Sequence, residues 1–147
     1  MQITMALLLP RDELTIPVAR RLLRDALRTL GADLDGIGDI EVALSEACTN
    51  VLGHAVDGDQ YEVRAVVADD EVAIEVVDRG GGFDALDLGH GDAREEAETG
   101  RGIQLMRRLV DRIQFENRAV GGTVVHMTKV MKWRDGSPAL RLRHPSD

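Results

Sequence analysis

A two-layer α/β domain, one β-sheet with helices packed on one of its faces, is the fold class this sequence predicts. Three observations point there. Stretches of helical period are interspersed with runs rich in β-branched residues. Two of those runs are separated by so short a polar turn that they suggest an antiparallel hairpin. No internal repeat runs through the chain, and the order of elements mixes helices with at least one antiparallel hairpin, so this is not a simple succession of βαβ units. The 147 residues, 44% hydrophobic and 30% charged, suffice for one core and are far from the composition of a disordered chain. Aromatic residues make up only 3%, so that core must rest on Leu, Val, Ile and Ala.

The first strand reads from Gln2 to Leu9 and is ended by Pro10, after which Arg11 to Thr15 form a polar connection. A helix follows over about Ile16 to Leu30: Val18, Leu22, Leu23, Ala26, Leu27 and Leu30 recur at helical spacing, and Gly31 is placed to cap the C-terminus. Its other face carries Arg20, Arg21, Arg24 and Arg28. A second helix is expected over about Gly38 to Ala55, with a wide stripe of Ile40, Ala43, Leu44, Ala47, Cys48, Val51 and Leu52. Tyr61 to Ala68 and Val72 to Asp78 are the hairpin strands, turned by Asp69, Asp70 and Glu71. From Phe83 to Thr99 the chain is Gly-rich and acidic without a period, which predicts a long loop acting as a lid. A third helix over Ile103 to Val110 leads into strands at Ile113 to Arg118 and Thr123 to Lys132, turned at Gly121 and Gly122. Residues 1–132 form the domain in this reading, and Trp133 to Asp147 a flexible tail.

A formal net charge of -8 opposes attraction to nucleic acid and to an anionic membrane surface, so neither is an expected direct partner. The single cysteine, Cys48, cannot close an intramolecular disulfide, which fits a reducing cytoplasm. The apolar start from Met5 to Leu9 is too short for a signal core or a membrane span.

Three segments carry candidate chemistry. In SEACTNVLGHA, residues Glu46, Asn50 and His54 recur every fourth position and fall along one helix face. A carboxylate, an amide and an imidazole in a row can supply a general base, an oxygen ligand for Mg²⁺ and a polar contact to phosphate. Taken alone, they read equally as polar residues flanking the buried stripe of an amphipathic helix. In VVDRGGGFD, Asp78 sits where a strand gives way to Gly80, Gly81 and Gly82, a place where a carboxylate can accept from an exocyclic amine and a ligand can approach the backbone. The ordinary alternative is an Asp capping its own glycine turn. In ETGRGIQLM, Gly100 and Gly102 bracket Arg101 just before the expected third helix, offering N–H donors and a cation to phosphate; a simple loop end reads the same way. The strings of a P-loop and of a dinucleotide fingerprint are absent.

In this order, the three segments resemble the N-box, G1 box and G2 box of the GHKL ATPase superfamily, which includes gyrases, heat-shock chaperones, histidine kinases and mismatch-repair ATPases. Glu46 and Asn50 match the first box, Asp78, Gly80 and Gly82 the second, and Gly100 and Gly102 the third, while Gly122 with Thr123 matches a later Gly-Thr. The SEA-x-TN-x-x-x-HA and GRG-x-x-LM forms look most like the bacterial anti-sigma-factor serine/threonine-protein kinases. The resemblance implies a histidine kinase-like fold, with a mixed sheet under helices and ATP held beneath a mobile lid. It implies that Asp78 and Thr123 recognise adenine, that Asn50 holds Mg²⁺, that Glu46 polarises the nucleophile, and that Gly100 and Gly102 close over the phosphates; Arg101, variable in the family's pattern, is assigned to the phosphates from its own position and charge. It also implies two activities, sequestering an RNA polymerase sigma factor and phosphorylating a serine of a STAS-domain antagonist, and carries the expectation of a homodimer. A catalytically idle ATP-binding module that only switches partners is the alternative. The arginines of the first helix could meet an acidic partner, or simply form a solvated face.

Overall fold

The computed structural model describes residues 1–53, 59–78, 93–117 and 123–143. Strands β1 (Gln2–Pro10), β2 (Gln60–Ala68), β3 (Glu71–Asp78), β4 (Arg112–Asn117) and β5 (Thr123–Val130) form one sheet in the order β1-β2-β3-β5-β4. Every described pairing is antiparallel. The expected mixed sheet is therefore corrected to one whose described ladders are all antiparallel: Asp69, at φ 51, and Asp70 turn β2 tightly into β3, and β5 inserts antiparallel between β3 and β4, which run parallel to each other without pairing.

Helices α1 (Thr15–Leu30), α2 (Leu34–Gly53) and α3 (Ala93–Leu109) form the second layer. The register aligns one row across the sheet, Leu7, Val63, Val76 and Val125, with a second row of Met5, Ala65, Ile74 and Met127 beside it. These residues meet Leu23 and Leu27 of α1, Leu44, Ala47 and Cys48 of α2, and Met106 of α3 in one core cluster. At its edge, Lys129 donates from Nζ to the Leu109 carbonyl (2.7 Å) and pairs with Asp39 (3.2 Å). One cation thus ties the end of α3, where carbonyls lack helical partners, to β5 and α2.

Several boundaries differ from those expected. The stripe of α1 is rotated: Ile16, Ala19, Leu23, Leu27 and Leu30 are buried, while Val18 and Leu22 stand 49% and 43% exposed. α2 starts at Leu34 rather than Gly38, because the Asp33 carboxylate accepts from the Gly36 amide and opens the helix earlier. α3 begins at Ala93, so the last part of the expected loop from Phe83 to Thr99 is helical, consistent with the helix formers in AREEAE. The remainder of that loop, 83–92, lies outside the described residues, as do Arg118, Gly121 and Gly122.

The expected flexible tail is packed as far as Arg143. Asp33 N–H donates to Lys132 O, Arg134 N–H donates to Gly31 O, and Ala32 bridges Trp133. Ser137 then opens the short helix α4 (Pro138–Arg143), which buries Ala139. The Trp133 indole donates to the Asp69 carbonyl at 2.9 Å, and Arg143 pairs with Asp70, so this segment grips the β2–β3 turn. Composition marked it as loose; the burial of Ala139 and Ser137 and these long-range bonds order it. Among the described residues no helix is long and apolar enough to cross a membrane.

Candidate functional site

Helix α2 carries the first motif. Its buried stripe, Ile40, Ala43, Leu44, Ala47, Cys48 and Val51, turns toward the sheet, and this leaves Glu46 and Asn50, one turn apart, half-buried at its edge. His54 lies outside the described residues, as do Gly80 and Gly82.

The third motif reaches the first through a glycine. A Cβ placed on Gly102 would lie 2.7 Å from Glu46 Oε2, so α3 meets α2 at this glycine, and any larger residue would have to push the Glu46 carboxylate aside. Two segments far apart in sequence thereby share one surface. One expectation is corrected here: Gly100, Arg101 and Gly102 lie inside α3, not ahead of it. The acidic, alanine-containing turns before them extend the helix backwards, and the glycines are interior residues rather than a phosphate-binding N-terminus. The Arg101 side chain is exposed.

The second motif is buried at the end of β3. Asp78 is 2% exposed and pairs across the sheet with Tyr61 of β2. Val77 pairs with Val124, which brings Thr123, at the start of β5, next to the end of β3 that carries Asp78. Thr123 is 3% exposed, and its Oγ1 has no hydrogen-bond partner among the described residues. A buried hydroxyl left in that state costs free energy unless a ligand or water satisfies it. An acceptor carboxylate and an unsatisfied hydroxyl side by side fit the polar edge of a heterocyclic base.

Sequence reading missed Arg11. From the connection between β1 and α1, its guanidinium forms an ion pair through Nη1 with Asp78 Oδ1, and Nη2 lies 3.5 Å from the Val51 carbonyl of α2. The side chains are 9% and 0% exposed. Arg11 is one of 18 cations in the chain, and no local pattern distinguishes it, so only the folded structure identifies it.

Beneath the site the Tyr61 hydroxyl lies 2.6 Å from Thr15 Oγ1 and is also hydrogen-bonded to Cys48. Burial pushes the Cys48 thiol up to about 12, against a smaller lowering by its bond to Tyr61. Burial likewise raises Tyr61 to about 12. Both groups stay protonated at neutral pH and serve as packing for α2, not as nucleophiles.

A shallow groove between α1 and α2 is lined by Arg20, Arg24, Glu41, Val42, Ser45 and Glu46. Arg24 pairs with Glu41 at 3.3 Å, and Arg20 donates to Ser45 Oγ at 3.4 Å.

Residues 9–129 match the sequence profile of the histidine kinase-like ATPase domain. A serine-protein kinase, RsbW, of Bacillus pumilus (strain SAFR-032) is 34% identical over 129 residues, covering 79% of this chain and 78% of the relative. An anti-sigma F factor of Caldanaerobacter subterraneus subsp. tengcongensis is 31% identical over 117 residues, covering 76% and 82%. In fold, the chain resembles the crystal structure of the RsbU and RsbW domains of Rv1364c from Mycobacterium tuberculosis, with a TM-score of 0.68 at 24% identity. That likeness covers 88% of this chain and 32% of the other, so this chain spans about a third of that protein's length.

Proposed function

The chain belongs to the histidine kinase-like ATPase family, and from that premise we propose that it is a cytoplasmic anti-sigma regulator that uses Mg-ATP to phosphorylate a serine of a STAS-domain antagonist. The observation that carries the reading is the contact of Gly102 with Glu46, which makes one surface of the residues proposed for phosphate and for proton transfer. The names of its relatives, serine-protein kinase and anti-sigma F factor, support both halves of the activity.

When bound, Mg-ATP supplies the γ-phosphoryl group that passes to the serine hydroxyl. Asp78 accepts from the adenine amino group, and Thr123 offers its unsatisfied hydroxyl beside it. Asn50 supplies a neutral oxygen ligand for Mg²⁺. Glu46, one turn earlier on α2, accepts the serine proton. Arg101 contributes a cation from α3, beside Gly100 and Gly102, and His54, Gly80 and Gly82, which lie outside the described residues, are assigned to the nucleotide by their place in the motifs. The chemistry asked of the protein is mostly positioning and charge neutralisation.

The groove that Glu46 helps to line is where the antagonist's serine enters. Its outer wall continues along α1, where exposed Val18 and Leu22 alternate with Arg20, Arg21 and Arg24, a surface suited to an acidic partner with apolar anchors. The sigma factor uses this same face, and a second copy of the chain completes a homodimer. Charge reversal at Arg20 and Arg24 should weaken partner binding and leave ATP affinity unchanged.

The test is calorimetric titration of Mg-ATP into the wild type and an Asp78→Asn variant, followed by transfer of radiolabel from ATP to STAS-domain proteins. Binding lost in the variant and label transferred by the wild type support the kinase. Binding without transfer indicates a partner-switching module with idle chemistry, and a folded wild type that binds no adenine nucleotide removes the reading.

A further inference from the structure

We infer that Arg11 is a positioning residue of the adenine subsite: its guanidinium holds the Asp78 carboxylate as a charged acceptor, so base discrimination depends on a residue outside all three motifs. The inference rests on the ATP reading above.

Arg11 reaches the site from the β1–α1 connection. Its backbone N–H donates to Asp59 O at 2.9 Å, which fixes the start of the side chain, and the guanidinium then passes between the end of β3 and the Val51 turn of α2. It therefore joins the strand that carries Asp78 to the helix that carries Glu46 and Asn50.

Two outcomes are physically open when a base arrives: Arg11 stays on Asp78, or the base displaces it. An exocyclic amine is neutral. It donates a hydrogen bond but cannot replace a cation, and its displacement of Arg11 would trade a buried ion pair for one hydrogen bond from a neutral donor, the weaker contact. Arg11 therefore stays, and the base meets a carboxylate already paired on Oδ1. The fork geometry of a guanidinium also orients the carboxylate plane, which an ammonium does not. An ionised carboxylate only accepts, so it favours a purine with an amino group at position 6 over one with hydrogen or a keto oxygen there.

The experiment compares affinities of Mg-ATP and the Mg complex of purine riboside 5′-triphosphate, which lacks the 6-amino group, for the wild type, Arg11→Lys and Arg11→Gln. Circular dichroism establishes that each is folded. The wild type should prefer ATP by about 10- to 100-fold, the range of a hydrogen bond to a charged group. In Arg11→Lys the preference should fall to within about threefold, while affinity for the deaminated analogue holds, since that analogue reports the phosphate contacts. Should Arg11→Gln fail to fold, Arg11→Lys, which keeps a cation at this position, carries the comparison alone. Undiminished preference in Arg11→Lys overturns the inference, as does tighter ATP binding in Arg11→Lys, which would make Arg11 a competitor. A wild type that binds both nucleotides equally overturns the assignment of adenine to Asp78 instead, and is distinguishable because no variant is needed to see it.

Discussion

Gly102 and Glu46 show how a single atom can separate stability from catalysis. The Cβ of a Gly102→Ala variant would fall 2.7 Å from Glu46 Oε2, and the group that must give way is the far end of a flexible side chain. Alanine also favours an α-helix over glycine by up to about 1 kcal/mol. Stability should therefore change little, while phosphotransfer falls by up to about 100-fold as the carboxylate is pushed from its position. Single-turnover transfer measured beside ATP affinity checks this; unchanged transfer would remove Glu46 from the chemistry. Cys48 permits a second test at this scale. With its thiol buried and pushed up to about 12, it should react with a thiol reagent at pH 8 at least about 100-fold more slowly in the native protein than after unfolding. Labelling at the unfolded rate would mean that the α2 stripe does not face the core.

At the scale of elements, the C-terminal segment and the end of α1 form a joint. Gly31 has φ 94 and closes α1 by donating to the Leu27 and Arg28 carbonyls, and a Cβ there would meet Ser137 Cβ at 2.3 Å. Gly31→Ala combines left-handed strain with that clash and should cost about 2–4 kcal/mol. The measurement is a lowered urea midpoint at constant m. Deleting residues 133–147 removes the Trp133 and Arg143 contacts with the β2–β3 turn and uncovers what Ala139 packs on. The melting temperature should drop by ~4 °C or more. Nucleotide affinity should hold, because these contacts lie at the end of the hairpin away from Asp78. Loss of ATP binding in a folded truncated protein would contradict that separation.

For the molecule as a whole, two raised acids contribute to how stability depends on pH at the alkaline end. Cys48 rises from 9.0 and Tyr61 from 10.0, each to about 12, so above pH 9 the unfolded chain releases protons that the native state keeps. Stability from these groups is complete below about pH 9 and is lost progressively toward pH 12. Urea midpoints should fall from pH 8 to 10.5, and Cys48→Ala should flatten the earlier part of that fall; an identical slope in the variant would show that the thiol does not contribute.

Much of this was legible in the sequence, for reasons that differ by element. Strand alternation and helical period located β1, the hairpin and the α2 stripe, because those signals are carried by neighbours two to four residues apart. The same local signals misjudged α1, where Val18 and Leu22 match the period but face solvent, and residues 133–143, whose order comes from Gly31, Asp69 and Asp70 rather than from their own composition. By itself the sequence determined the α/β class, the family, and the positions of Glu46, Asn50, Asp78 and Thr123 on their elements, since motif and period are written along the chain. Only the tertiary structure decided that every described strand pairing is antiparallel, that Gly102 lies against Glu46, and that Arg11 pairs with Asp78. Those contacts join residues far apart in sequence, and a buried charge or a missing Cβ acquires its partner only when the sheet and helices close around it.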